Sequence, residues 1–298
     1  NINKSFDIGV YTNISRDHMD YHPTLNDYIG AKKKLFNSLK NDALAIVNFD
    51  DPYGEEMVRD INAKPFSYGL KGDFDFKGKI VENNISGLSV EIDGFEMTSR
   101  LIGEFNAYNL LVVFAVAKSL GEEALTVLTI ISNLKAPDGR FEYIVSPRNV
   151  TAVIDYAHTP DALENVLKTL VSLKSDKEKI FTVFGCGGDR DKGKRPLMGE
   201  ISSVYSDRVI VTSDNPRSEK PNEIIKEIIS GIPKSKSSKV LTVQERRQAI
   251  KVACELAESG DVILIAGKGH EKYQIIGDEK LHFDDLETTI EIFKQIQK

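Results

Sequence analysis

Apolar residues recur along this chain in two different rhythms, and the change between them divides it. Residues 7–11 form a short apolar run that predicts a buried strand; a polar loop over 12–23, a helix over 24–39 and a second strand over 44–47 follow. From 64 to 101 the runs are brief and punctuated by Gly69, Gly72, Gly78, Gly87 and Gly94, which predicts a small antiparallel sheet. Helices are expected over 105–120 and 122–134. Past the turn Ala136-Pro137-Asp138-Gly139, strands near 150, 180, 208, 239 and 262 alternate with helical stretches near 160, 195, 222, 245 and 287. That alternation predicts a parallel sheet wrapped by helices, and the turn marks a boundary between domains at 1–139 and 140–298.

Three of the later strands run directly into polar loops. Residues 181–184 lead into Gly-Cys-Gly-Gly-Asp-Arg at 185–190, residues 208–211 into Thr-Ser-Asp-Asn-Pro-Arg at 212–217, and residues 261–265 into Ala-Gly-Lys-Gly-His-Glu at 266–271. Parallel strands bring such loops to one edge, where open α/β sheets bind ligands. Glycine lets a ligand approach the backbone, and Arg190, Arg217 and Lys268 concentrate positive charge, so the crevice is expected to bind anions. Asp214, Asn215 and Arg217 could together hold a molecule with both an amine and a carboxylate: Asp214 for the ammonium, Arg217 as a two-pronged carboxylate clamp, Asn215 for either. Standing alone, an Asn-Pro turn with flanking charges is more often a solvated turn.

Composition narrows the class. The 298 residues carry 41% hydrophobic content and a formal charge of −6, which argues against a general nucleic-acid binder and confines the basic loop residues to local recognition. The longest apolar run, Leu110 to Ala117, stops at Lys118, far short of a membrane span. Cys186 and Cys254 make neither a disulfide framework nor a metal spacing, and with no secretory signal a reducing cytoplasm is expected. The chain opens at Asn1 without a methionine and reaches a strand within a few residues, as a segment of a longer protein would.

Further blocks are familiar as a set. Thr-Asn-Ile-Ser-Arg-Asp-His-Met-Asp-Tyr-His at 12–22, Gly-Ala-Lys at 30–32, Gly-Glu-Phe-Asn-Ala-Tyr-Asn at 103–109, Gly-Arg-Phe-Glu at 139–142 and Asp-Tyr-Ala-His-Thr-Pro-Asp at 155–161 resemble, in order, the motifs of the Mur ligases. The three loop blocks above resemble the branch that adds the third residue of the peptidoglycan stem peptide. The resemblance spans essentially the whole chain.

It implies an α/β protein made of part of a central ATP-binding domain followed by a Rossmann-like parallel-sheet C-terminal domain. The implied reaction is ATP-dependent: the side-chain carboxylate of UDP-N-acetylmuramoyl-L-alanyl-D-glutamate is phosphorylated and an amine displaces the phosphate. His18 and a carbamylated Lys32 would hold Mg²⁺ and serve catalysis, Asn109 would lie beside adenine, Arg140 would reach the ATP phosphates, Asp155 would lie near the ribose hydroxyls, and His158, in the same block, would also belong to the nucleotide site. Without the surrounding blocks, His18 reads as a surface histidine, Lys32 to Lys34 as a solvated helix face and Asn109 as a packing residue. Arg190, Asp214, Asn215, Arg217, Gly267 and Glu271 fall where the family binds the added amino acid. Arg217 favours meso-diaminopimelate, whose far end is zwitterionic, over lysine, which ends in an ammonium alone. A monomer without membrane insertion is expected. Complete members also carry a uridine-nucleotide-binding domain and a Gly-x-x-x-x-Gly-Lys-Ser/Thr phosphate loop, neither found here, so this stretch alone is expected to be inactive. Alternatives are a lysine-adding or folylpolyglutamate-type ligase, which the 214–217 block opposes, a dinucleotide-binding oxidoreductase, which the missing third glycine at 185–190 opposes, and a non-catalytic binding module.

Overall fold

A computed structural model of the chain describes residues 6–14, 24–85 and 87–296. Contacts divide it into two compact units, Asn1–Lys135 and Ala136–Lys298. The division falls before the expected 139/140 boundary because Gly139 lies against the backbone of Gly269 and His270, inside the second unit.

The first unit holds a six-stranded sheet in the order β1 (Ile8–Tyr11), β2 (Leu44–Asn48), β3 (Lys64–Gly69), β4 (Phe76–Asn84), β5 (Gly87–Ile92), β6 (Phe95–Ser99). β1 to β4 pair in parallel and β4 to β6 antiparallel. The antiparallel sheet expected over 64–101 therefore begins only at β4; alternation marks a strand but not the direction of its partner. Helix α1 (Leu25–Asn37) starts at a capping box in which Thr24 and Asp27 satisfy each other's orphan amides. Helix α2 (Gly54–Val58), five residues long, was not expected, whereas α3 (Glu104–Ser119) and α4 (Ala124–Ser132) match the helical runs.

In the second unit, six strands lie in the order β11 (Val240–Thr242), β10 (Arg208–Val211), β9 (Ile180–Phe184), β12 (Val262–Ala266), β8 (Thr151–Asp155), β7 (Glu142–Val145). All pair in parallel except β7, an antiparallel edge strand. Every residue of β8, β9 and β12 is buried, as expected of central parallel strands covered on both faces. Helices α5 (Pro160–Leu173), α6 (Lys194–Tyr205), α7 (Pro221–Ser230), α8 (Arg246–Leu256) and α9 (Asp285–Ile296) wrap the sheet. Helix α5 shows why these turns are well defined: Thr159 caps it, Pro160 presets its first turn, and Leu163, Leu167 and Leu170 bury one stripe. After β12 comes a hairpin, β13 (Tyr273–Ile276) and β14 (Glu279–His282), with Gly277 at φ +59° in its two-residue loop. Among the described residues no helix is long and apolar enough to cross a membrane.

Candidate functional site

Because β8, β9, β10 and β12 are parallel, their exit loops share one edge of the sheet, and they enclose a cleft of about 270 Å³. Arg190, Asp214, Asn215, Arg217, Gly267 and Glu271 all line it, and so does His158. Two glycines make the close approach feasible. A Cβ on Gly188 would run into the Pro216 carbonyl, while Gly188 N–H donates to Asn215 O at 2.9 Å, stitching the β9 and β10 loops together. Gly267 adopts φ +114°, which admits little but glycine, and its N–H bonds Asp155 O at 3.0 Å.

The β10 loop is held rigidly. Asn215, which is buried, accepts at Oδ1 from Lys268 Nζ (3.0 Å) and Ile275 N–H (2.9 Å), and donates from Nδ2 to Glu271 Oε2 (2.9 Å). Asp214 is 7% exposed and ion-paired with Lys268 at 3.0 Å. Arg217 sits at φ +50°, and its Nη1 donates to Gly188 O at 2.8 Å, so the guanidinium lies against the β9 loop. Arg190 is exposed and donates to its neighbour Asp189 O at 3.1 Å.

Lys268 corrects the sequence reading. Its side chain is 0% exposed and already faces Asp214, so it adds no free positive charge to the cleft. Burial lowers the pKa of its ammonium, against the opposing pull of Asp214. Cationic character comes instead from Arg190, Arg217 and Lys194, which lines the cleft and donates to His158 O at 2.9 Å.

Sequence reading also missed a buried brace beneath the β9 loop. Arg195, fully buried, donates to Glu219 (3.0 and 2.9 Å), Glu227 (2.7 Å) and Gly187 O (3.0 Å). Arg195, joined by the Asp189 amide and Lys192, pulls the Glu219 carboxyl down to about 2. Spacing along the chain carried no sign of this network, since its members lie 24 and 32 residues apart. The hairpin did leave a sign, Gly277-Asp278 between two short alternating runs, and it covers the β10 loop: Gln274 Nε2 donates to Asp214 O at 2.6 Å and Arg217 N–H to Ile275 O at 3.2 Å.

A second group forms beside the cleft. Asp155 is buried and accepts from Phe141 N–H and Ala157 N–H, both at 2.8 Å; burial raises its pKa while those bonds and Arg140 oppose the rise. Its two oxygens thus shape the turn that presents Tyr156 and His158. The Tyr156 ring meets His158 at 4.5 Å, His270 at 5.0 Å and the Arg140 guanidinium at 5.1 Å. Cys186, although it lines the cleft, is a buried thiol pushed up to about 12 by desolvation and hence unreactive.

The remaining expected residues belong to the first unit. Asn109 is exposed on α3 and donates to Asn106 Oδ1 at 3.2 Å. Lys32 is exposed on α1 with its amine 5.1 Å from the Tyr28 ring centroid. His18 lies outside the described residues. Among the described residues no group of three or more His, Cys, Asp or Glu side chains could hold a metal.

Fold and cleft define the second unit as a Rossmann-like α/β domain whose exit loops enclose a cleft lined by both cationic and carboxylate side chains. Comparison with known proteins gives the family. Residues 2–117 match the Mur ligase middle domain and residues 139–269 the Mur ligase, glutamate ligase domain. A UDP-N-acetylmuramoyl-L-alanyl-D-glutamate–2,6-diaminopimelate ligase of Cytophaga hutchinsonii is 50% identical over 93% of this chain and 57% of its own length. A ligase of the same name from Parabacteroides distasonis is 49% identical over 98% of this chain and 60% of its own. A solved structure of a ligase with that name is 36% identical, with a TM-score of 0.68 over 98% of this chain and 61% of that one. The chain belongs to the Mur ligase family, and it spans about three fifths of the length of these relatives.

Proposed function

We propose that the complete protein joins meso-diaminopimelate to UDP-N-acetylmuramoyl-L-alanyl-D-glutamate with hydrolysis of ATP to ADP and phosphate, an amide-forming step of peptidoglycan precursor synthesis. In this reading residues up to 139 belong to the central ATP-binding domain and residues 140–298 to the acceptor domain. The observation that carries it is Arg217 in the Asp-Asn-Pro-Arg loop, its guanidinium lining a cleft that also holds carboxylates. That pairing suits the zwitterionic end of diaminopimelate: Arg217 for its carboxylate, Asp214 and Glu271 for its ammonium, with Asn215 and Gly267 shaping the wall and Arg190 at the rim.

The chemistry divides into two displacements. A carboxylate oxygen of D-glutamate attacks the γ-phosphorus of ATP and ADP departs, giving an acyl phosphate. The acceptor amine then attacks the acyl carbon, the C–O bond to phosphate breaks, and the amine sheds a proton. Both steps gather negative charge, which fixed cations stabilise. Arg140 meets that need beside the phosphates; His158, on the turn braced by Asp155, borders the nucleotide, and Asn109 serves the adenine. Magnesium, expected on His18 and a carbamylated Lys32, would screen the phosphates. The described side chains do not assemble a cage for the ion. Two buried free cysteines agree with a cytoplasmic setting.

The test is ligation by the purified complete protein, with diaminopimelate and lysine supplied in parallel and the product weighed by mass spectrometry. ATP-dependent diaminopimelate product in clear excess is expected. Equal or better use of lysine, or no ATP dependence, overturns the reading.

A further inference from the structure

The second unit buries a lysine that the proposed chemistry leaves without a task. Lys268 has no exposed surface and cannot touch an acceptor. Its ammonium gathers three groups from two separate segments: it donates to Asn215 Oδ1 at 3.0 Å and Tyr273 O at 2.8 Å, and it faces Asp214 Oδ1 at 3.0 Å in an ionic contact. Below it, Arg246 is clamped by Asp285 at 2.8 and 2.7 Å and donates to Ala266 O at 3.0 Å, which anchors the end of β12 just before Gly267. Burying an ammonium is unfavourable unless it is fully partnered, so a lysine here calls for a reason beyond packing.

We infer that Lys268 is a positioning residue that sets acceptor choice, by fixing the orientation of the Asn215 amide and balancing the charge of Asp214; this rests on the acceptor reading proposed above. Two donors, Lys268 Nζ and Ile275 N–H, converge on Asn215 Oδ1. A flipped amide would set its NH₂ against both of them. Only the observed orientation directs Nδ2 to Glu271 Oε2, at 2.9 Å, and so holds that carboxylate in place at the cleft. The charges follow the same logic. Lys268 offsets Asp214 at the floor of the cleft, which leaves Arg217 and Glu271 as an opposed pair for a ligand end carrying one charge of each sign, with Arg190, Asp191 and Lys194 also lining the cleft. Without the buried cation, Asp214 loses its 3.0 Å ionic partner and the inner wall of the cleft becomes one charge more negative. That excess of negative charge favours an acceptor ending in a bare ammonium, and the loosened amide lets Glu271 drift.

The experiment uses the complete protein with Lys268→Met and Lys268→Gln, reading kcat and KM for diaminopimelate and for lysine, KM for ATP, and thermal unfolding. In both variants the preference for diaminopimelate should fall by roughly tenfold or more, chiefly through its KM, while KM for ATP stays within about twofold. The glutamine variant keeps amide donors for the orphaned acceptors, so it should recover stability lost in the methionine variant without recovering the preference. A folded variant with wild-type preference overturns the inference, as does a parallel loss for both acceptors that tracks stability. Failure of both variants to fold would make Lys268 a core residue only, and also overturns it. Absence of a diaminopimelate preference in the wild-type protein is a separate result: it removes the acceptor reading itself, and this inference with it.

Discussion

Replacing Arg217 with glycine and, separately, with alanine separates what its side chain binds from what its backbone tolerates. Arg217 is a half-buried non-glycine residue at φ +50°, tied on both sides to the hairpin through Arg217 N–H to Ile275 O (3.2 Å) and Gly277 N–H to Arg217 O (2.9 Å). Those ties keep the backbone left-handed whatever the side chain. Either substitution removes the guanidinium. A lost charged clamp costs about 2 to 5 kcal/mol when buried, and partial exposure points to the lower half of that range, about 2 to 3 kcal/mol. At about 1.4 kcal/mol per decade, kcat/KM for diaminopimelate should fall about 30- to 150-fold in both variants. Lysine, with no carboxylate at that end, should be used nearly as poorly as before. Stability should diverge: glycine meets no Cβ penalty at positive φ, so the glycine variant should be more stable than the alanine variant by about 1 kcal/mol. Against wild type, glycine also loses the 2.8 Å bond to Gly188 O, which offsets much of its gain. Steady-state kinetics with both acceptors and urea denaturation read the two effects independently. Equal losses for diaminopimelate and lysine would refute the clamp; a glycine variant no more stable than alanine would refute the backbone argument.

Three further outcomes are expected. Gly188→Ala should destabilise the protein by at least about 2 kcal/mol in urea, because its Cβ has only the Pro216 carbonyl to occupy; a change within about 0.5 kcal/mol would show that the β9 and β10 loops separate freely. Glu219 titrates at about 2 in the folded state instead of the usual 4.5, chiefly through Arg195. Its folded value lies below its unfolded one, so its contribution is complete above about 4.5 and lost as pH falls toward 2. Discounted for partial solvent screening, the stability gap between wild type and Glu219→Gln should be on the order of 1 to 3 kcal/mol near neutral pH and close only as pH falls through about 2, and a gap that does not change with pH would sink the assignment. Lys32→Ala should leave stability within about 0.5 kcal/mol, since the side chain is exposed, yet abolish most ligase activity if its carbamate holds magnesium, with partial rescue by short carboxylates; near-normal activity would make it an ordinary surface lysine.

Much of this protein is legible in its amino-acid sequence alone, and the reason is the range over which the signals act. Strand positions such as Ile180–Phe184 and Val262–Ala266 announce themselves as apolar runs ending in glycine, and the start of α5 is written in Thr159-Pro160. Parallel strands then oblige their exit loops to meet, which is why Asp214, Asn215, Arg217, Gly267 and Glu271 could be grouped while up to 57 residues apart. What eluded the sequence depends on partners that local pattern does not name. The antiparallel sheet expected over 64–101 missed the parallel pairing of β3 with β2, because a strand's alternation is the same in either direction, and the four-residue edge strand β7 was not expected at all. Lys268 reads as one more loop cation until Asp214, Asn215 and the hairpin residue Tyr273 close around it. Whether a charge faces a ligand or serves as an internal strut is settled by burial and dielectric, and only the folded chain creates those.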